Sequence, residues 1–179
     1  MSETTAAEYF EQTVPEQFNA AVAATPEAAE QPELTATYEI TGEGGGVYGL
    51  RLSGSTIEVV PGGIEGSDLW TTVGIDAWRS ALEIADRDPV VDFYARRKAQ
   101  AIKSLQGVLR LDLTNADGSP YESTMVFANT QDPEVTLRMT TSDYIDMMTG
   151  RLNGQMAFMT GKLKFEGSLP LLMKLGSIS

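Results

Sequence analysis

The two side chains that carry most acid–base and nucleophilic chemistry at neutral pH, histidine and cysteine, are both absent from this 179-residue chain. Without them there is no Ser-His-Asp or Cys-His constellation, no thiolate and no Cys-based zinc site. Acid–base work falls to carboxylates, phenols and amines. Asp143 and Asp146, three residues apart, share a helix face and could pair as acid and base. The same spacing serves a helix N-terminus equally well. Asp86, Asp88 and Asp92 are accounted for by capping and the helix dipole.

Gly42-Glu43-Gly44-Gly45-Gly46 lacks the Gly-Lys-Ser/Thr ending of a phosphate loop and leads into a strand pattern, so it reads as a hairpin turn. Asn115-Ala116-Asp117-Gly118 lacks calcium-chelating spacing and a terminal Glu, so it too is a turn. The expectation is no catalytic residue, no metal and no cofactor: a protein that is not an enzyme.

The formal net charge is -12, unevenly placed. The first 50 residues hold nine Glu and no Lys or Arg, whereas from Gly150 onward Arg151, Lys162, Lys164 and Lys174 face Glu166 alone. Such acidity repels nucleic acid. The basic end reads either as solvated surface or as a place where something anionic is met. No run approaches the roughly 20 apolar residues of a bilayer span. Met1-Ser2-Glu3-Thr4 has neither the basic flank nor the apolar run of a secretory signal, so a cytoplasmic location is expected.

Periodicity orders the chain. Thr5/Glu8 and Thr13/Glu16 read as capping boxes for two short helices over 2–24, and 25–34 as a connector. Alternation then predicts strands over 37–41, 47–52, 56–60 and 69–73, and a helix capped by Asp76. Asp88-Pro89 opens a second helix closed by Gly107, with Arg96, Arg97, Lys98 and Lys103 mostly outward. Strands over 108–113, 122–127 and 135–139 precede a helix that starts at Thr141 or Ser142 and ends at Gly150. Two segments, 35–85 and 107–150, repeat hairpin, strand and helix; they are either an imperfect duplication or one mixed domain using a common grammar twice. The expected division is N-terminal helices and connector over 1–34 and a single domain over 35–179.

Six of the eight methionines fall between Met139 and Met173. Methionine is flexible and polarisable, suiting surfaces that accept variable apolar shapes. Core packing is the alternative. The same region runs Thr149-Gly150-Arg151-Leu152-Asn153, Ala157-Phe158, Gly161-Lys162-Leu163-Lys164, Gly167 and Met173-Lys174-Leu175, after a strand Glu134-Val135-Thr136-Leu137-Arg138-Met139. This pattern resembles the C-terminal signature of the sterol carrier protein-2 family. Tyr9-Phe10-Glu11, Val14-Pro15-Glu16-Gln17-Phe18 and Thr37 to Gly46 resemble the opening of its bacterial members. Coverage is strong over 132–175, fair over 8–60 and poor over 61–131. Gly154, Phe165 and Pro170 depart from the family pattern, and Gly176-Ser177-Ile178-Ser179 is not a Ser-Lys-Leu-type address.

The resemblance implies an α+β fold: a mostly antiparallel β-sheet with helices covering one face and an apolar tunnel between them. It implies non-enzymatic binding and transfer of a sterol, fatty acid or fatty acyl-CoA, with transient membrane contact and a lipid-metabolising enzyme as partner. An accessory or protein-interaction module of the same fold is the other reading. The ligand-binding residues it points to are Tyr144, Ile145, Met148, Leu152, Met156, Phe158, Met159, Leu163, Phe165, Leu171, Leu172 and Leu175, with Arg151 for an anionic head group. The alternation Lys162-Leu163-Lys164-Phe165 puts both lysines on the face opposite the apolar one.

Overall fold

A computed structural model describes residues 5–84, 89–148 and 150–175, the side chains at 83, 84, 89, 92 and 148 excepted. The roles assigned to Asp86 and Asp88, and the side chains of Asp92 and Met148, lie outside the described residues.

The chain opens with α1 (Ala6–Glu8), capped by the expected box: Glu8 N–H donates to Thr5 Oγ1 at 3.1 Å and Thr5 N–H donates to Glu8. A π-turn (Tyr9–Thr13) leads without a break into α2 (Val14–Ala23). Thr13 therefore has helical backbone and caps nothing, contrary to the second box expected from sequence. This entry is held by aromatic packing: Phe10 stacks on Tyr48 (4.8 Å between ring centroids) and Tyr9 meets Trp78 edge-on (5.1 Å).

Strands β1 (Leu34–Thr41), β2 (Gly46–Ser53), β3 (Thr56–Pro61) and β4 (Leu69–Gly74) follow, then α3 (Ile75–Ile84). Asp76 sits inside the first turn of α3 rather than before it. Next come α4 (Pro89–Ala95), α5 (Ala99–Ser104), β5 (Gly107–Thr114), β6 (Pro120–Phe127) and β7 (Glu134–Thr140). The chain ends through α6 (Thr141–Met148), α7 (Gly154–Met159), β8 (Lys164–Gly167) and α8 (Leu169–Leu175). All eight strands form one sheet in the order β3-β2-β1-β4-β6-β5-β7-β8. It is mostly antiparallel, with β1/β4 and β5/β7 the parallel pairs.

Both halves trace the same path. β1 and β2 form a hairpin, β4 returns parallel to β1 and passes straight into α3. β5 and β6 form a hairpin, β7 returns parallel to β5 and passes straight into α6. The halves are joined edge to edge by the antiparallel β4/β6 ladder. The first crossover is fastened by Asp68, whose carboxylate accepts from Thr35 N–H at 3.0 Å while its own N–H donates to Thr35 Oγ1 at 3.1 Å.

The sheet has a polar and an apolar face. On the polar face Arg138 pairs with Asp112 (3.2 Å) and Glu166 (2.8 Å), and Arg110 with Glu134. Strand alternation puts Leu69, Val73, Leu109, Leu111, Val135 and Leu137 on the other face, buried.

The segment between α4 and α5 departs from expectation. A single helix was expected to run to Gly107; it breaks at 96–98, and Gly107 opens β5 instead. Gly107 has φ +122°, and a Cβ there would run into the Pro133 carbonyl, so no other residue fits without moving backbone. Arg97, expected to face outward, is buried at 2% exposure. Its guanidinium donates to the carbonyls of Tyr94 (3.0 Å) and Gly54 (2.8 Å) and lies 5.8 Å from the Phe18 ring centroid. The helix breaks there because a cation serving those carbonyls needs the chain turned inward.

Candidate functional site

Between the apolar face of the sheet and the helices lies a cavity of about 1030 Å³. Its floor is a set of cross-strand rows. Tyr38, Thr71, Met125 and Leu109 are register neighbours across β1, β4, β6 and β5. Val73, Ser123, Leu111, Leu137 and Phe165 form the next row, reaching β7 and β8. Trp78, Ala81 and Leu82 of α3 and Val90 and Phe93 of α4 wall one side. Tyr144, Ile145 and Met147 of α6, Phe158 of α7 and Leu172, Met173 and Leu175 of α8 wall the other. Phe158, Leu169 and Met173 line the cavity and are each at least half exposed, so they mark where it reaches the surface.

Of the residues singled out from sequence, Tyr144, Ile145, Arg151, Leu152, Phe158, Leu163, Phe165, Leu172 and Leu175 lie along this cavity. Met156 and Met159 project to solvent beside its mouth. Leu171, about 100° round α8 from Leu172, is buried beside Gly107. The Met148 side chain lies outside the described residues. Lys164 sits opposite Arg138, on the polar face of the sheet. Arg151 stands at the rim, half exposed, with Nε 3.7 Å from Asp146 Oδ1. Its charge is therefore already balanced in part.

Sequence reasoning missed the other wall: Leu69, Thr71, Val73, Trp78 and Leu82 of the first half, and Tyr121, Ser123 and Met125 of β6. Their alternation was visible, but alternation marks a buried face without separating side chains that pack from side chains that border a void.

Among the described lining residues Arg151 alone is charged. The interior polar groups are uncharged. Burial pushes the Tyr121 phenol up to about 12. Burial, with Tyr121 nearby, also drives Tyr144 well above the ordinary phenol range. Burial, with the Tyr94 phenol beside it, does the same to Tyr38. Among the described residues no cluster of carboxylates has metal-binding geometry. Among the described residues no helix is long and apolar enough to cross a membrane. The arrangement can hold a large apolar molecule and offer it hydroxyl hydrogen bonds.

A single, mostly antiparallel sheet thus carries helices over its apolar face, with an apolar cavity between them. Residues 92–179 match the model of the SCP-2 sterol transfer family. Over that segment, just under half of its length, the chain is similar to an SCP2 domain. It is 44% identical over 68 residues to the peroxisomal multifunctional enzyme A of Dictyostelium discoideum, covering 38% of this chain and 14% of that protein. It is 38% identical over 68 residues to human sterol carrier protein 2, covering 38% and 12%. Against human hydroxysteroid dehydrogenase-like protein 2 the figures are 32% over 82 residues, 41% and 20%. The chain thus spans a fifth or less of the length of these curated relatives. Among solved structures it is similar to sterol carrier protein domain 2 of Helicoverpa armigera (TM-score 0.37, 26% identity, 45% of this chain and 71% of that one). It is also similar to sterol carrier protein 2 like 2 of Aedes aegypti (TM-score 0.40, 18% identity, 56% and 98%).

Proposed function

We propose that this protein binds hydrophobic molecules in its apolar cavity and transfers them between lipid surfaces, without catalysing a reaction on them. The observation that carries the reading is the 1030 Å³ cavity, whose floor and walls are mostly aliphatic and aromatic. It sits at the upper end of the ~300–1,000 Å³ range of small-molecule sites. A sterol or a folded acyl chain is the scale of cargo that fits. At about 0.8 kcal/mol per buried methylene, a long chain gains on the order of 10 kcal/mol before ordering costs, enough for micromolar affinity.

The lack of histidine and cysteine, and a lining with one partly balanced charge, support a carrier rather than an enzyme. Relatives named as enzymes match over a minority of their length, which fits a domain that serves a lipid-metabolising enzyme. Loading would occur at the mouth. Met156, Phe158, Met159, Leu169 and Met173 are exposed there on α7 and α8, and Lys162 and Lys174 neighbour them in an otherwise acidic chain. Exposed apolar side chains with adjacent cations suit an anionic lipid surface.

Mass spectrometry of an organic extract of the purified protein tests the reading, together with titration by a fluorescent fatty acid. Saturable binding at micromolar concentration or below is expected. Failure to saturate with fatty acid, sterol or acyl-CoA would favour an interaction module with the same fold.

A further inference from the structure

The polar groups inside the cavity are not scattered. Tyr121 and Ser123 are alternate residues of β6 and point to the same face of the sheet. Tyr121 is the register partner of Leu113 on β5, and Leu113 that of Met139 on β7. Met139 stands two residues before α6, whose first turns carry Tyr144. Tyr121, Ser123 and Tyr144 therefore gather at the end of the sheet where β7 passes into α6. Both phenols lie deep in the protein yet keep part of their surface free, as cavity-lining groups do. No hydrogen bond ties either hydroxyl to another described residue. Ser123 Oγ donates to the Thr72 carbonyl at 3.2 Å, leaving its lone pairs to accept. Thr71 Oγ1 and Trp78 Nε1, in the neighbouring wall, also lack partners but are sealed from the void, so they are not part of this cluster.

We propose that Tyr121, Ser123 and Tyr144 form an internal polar subsite that receives an uncharged oxygen, a hydroxyl or carbonyl, of an otherwise apolar cargo. The proposal rests on the cavity reading above and adds the chemical class of what the cavity prefers. Phenols and a serine hydroxyl both donate and accept, so they match a neutral alcohol or ketone. A buried carboxylate, by contrast, needs a cation or several strong donors to offset its lost hydration. Arg151, the one lining cation among the described residues, is at the rim and already faces Asp146. An ionised fatty acid entering head-first meets no charge partner at the subsite.

The test uses three probes of equal chain length, 1-dodecanol, dodecane and dodecanoate, each displacing a fluorescent fatty acid at about pH 8, where the carboxylate is ionised. Dodecanol is expected to bind more tightly than dodecanoate. In the full chain carrying Tyr121→Phe and Tyr144→Phe, the dodecanol-to-dodecane affinity ratio should fall about tenfold, as two neutral hydrogen bonds imply. The ratio corrects for any change in cavity shape, because the alkane is measured on the same variant. A ratio moved by less than twofold, or a preference for dodecanoate, overturns the subsite while leaving the cavity reading intact. If none of the three displaces the reporter, both fall together.

Discussion

Leu171 and Leu172 are adjacent on α8, identical in chemistry, and placed so differently that truncating each should damage a different property. Leu171 is 2% exposed and its Cδ2 lies 3.2 Å from where a Gly107 Cβ would stand, packed against the start of β5. Leu172 is half-buried and borders the cavity. Leu171→Ala removes a close-packed side chain and leaves a hole the rigid sheet cannot fill, a loss of about 2–5 kcal/mol. Leu172→Ala removes atoms that already face a void, so its stability cost is about 1 kcal/mol, near the value of one methylene group. In binding the order reverses. Up to three carbons of Leu172 contact cargo, worth about 2 kcal/mol in total, so affinity for a fluorescent fatty acid should drop up to about 30-fold. Leu171→Ala should move affinity less than about threefold. Urea melts and fluorescence titration on the same preparations measure both. Equal losses of affinity with unequal losses of stability would refute the reasoning, since they would mean that α8 acts as a unit rather than through one face.

Other expectations follow from single features. Arg97→Met keeps the stem but strips the Tyr94 and Gly54 carbonyls of their donor, and should cost about 2–4 kcal/mol in a urea melt; a change under 1 kcal/mol would show those carbonyls rehydrate freely. Met156→Glu with Met159→Glu should slow cargo transfer to anionic vesicles severalfold while leaving affinity in solution within about twofold, and equal transfer rates would place loading elsewhere. The buried phenols give the pH dependence its sign. The folded protein holds Tyr121 at about 12, above the ordinary value near 10, so the neutral form is favoured on folding. Stability from this source is fully present below about pH 10 and is lost as pH rises through 12. Melting temperature should hold level through neutral pH and drop beyond about pH 10, less steeply in Tyr121→Phe.

What could be read from the residues was whatever repeats locally. Seven strands, the box at Thr5/Glu8 and the turn at Asn115–Gly118 were visible because alternation, capping and turn chemistry act over a few residues. The parallel pairings β1/β4 and β5/β7 were not, since crossovers are decided by how the whole sheet closes. Arg97 was misassigned because it stands between Arg96 and Lys98, both exposed, and a basic run looks like a solvated face. The 144–175 segment, where methionines and family-like motifs cluster, supplies one wall of the cavity. The half supplied by β4, β6 and α3 was hidden because Leu69, Val73 and Phe127 read the same whether they touch another side chain or a void.

The size of that void bears on how the protein must exist. A void of about 1030 Å³ forfeits dispersion contacts along its lining when nothing fills it. Water can enter at the Phe158–Met173 mouth, but a mostly aliphatic lining gives it few partners, so hydration relieves the cost only in part. A hydrophobic occupant restores dispersion contacts along both walls and expels that water. Occupancy and folding are therefore linked: cargo at 100 times its Kd adds about 2.7 kcal/mol. Protein stripped of lipid by passage over a hydrophobic resin should melt several degrees lower than protein as purified. Adding dodecanol should restore the difference. If the stripped protein melts at the same temperature and does not respond to added cargo, the helices α7 and α8 have closed onto the sheet and the cavity is not a standing feature of the fold.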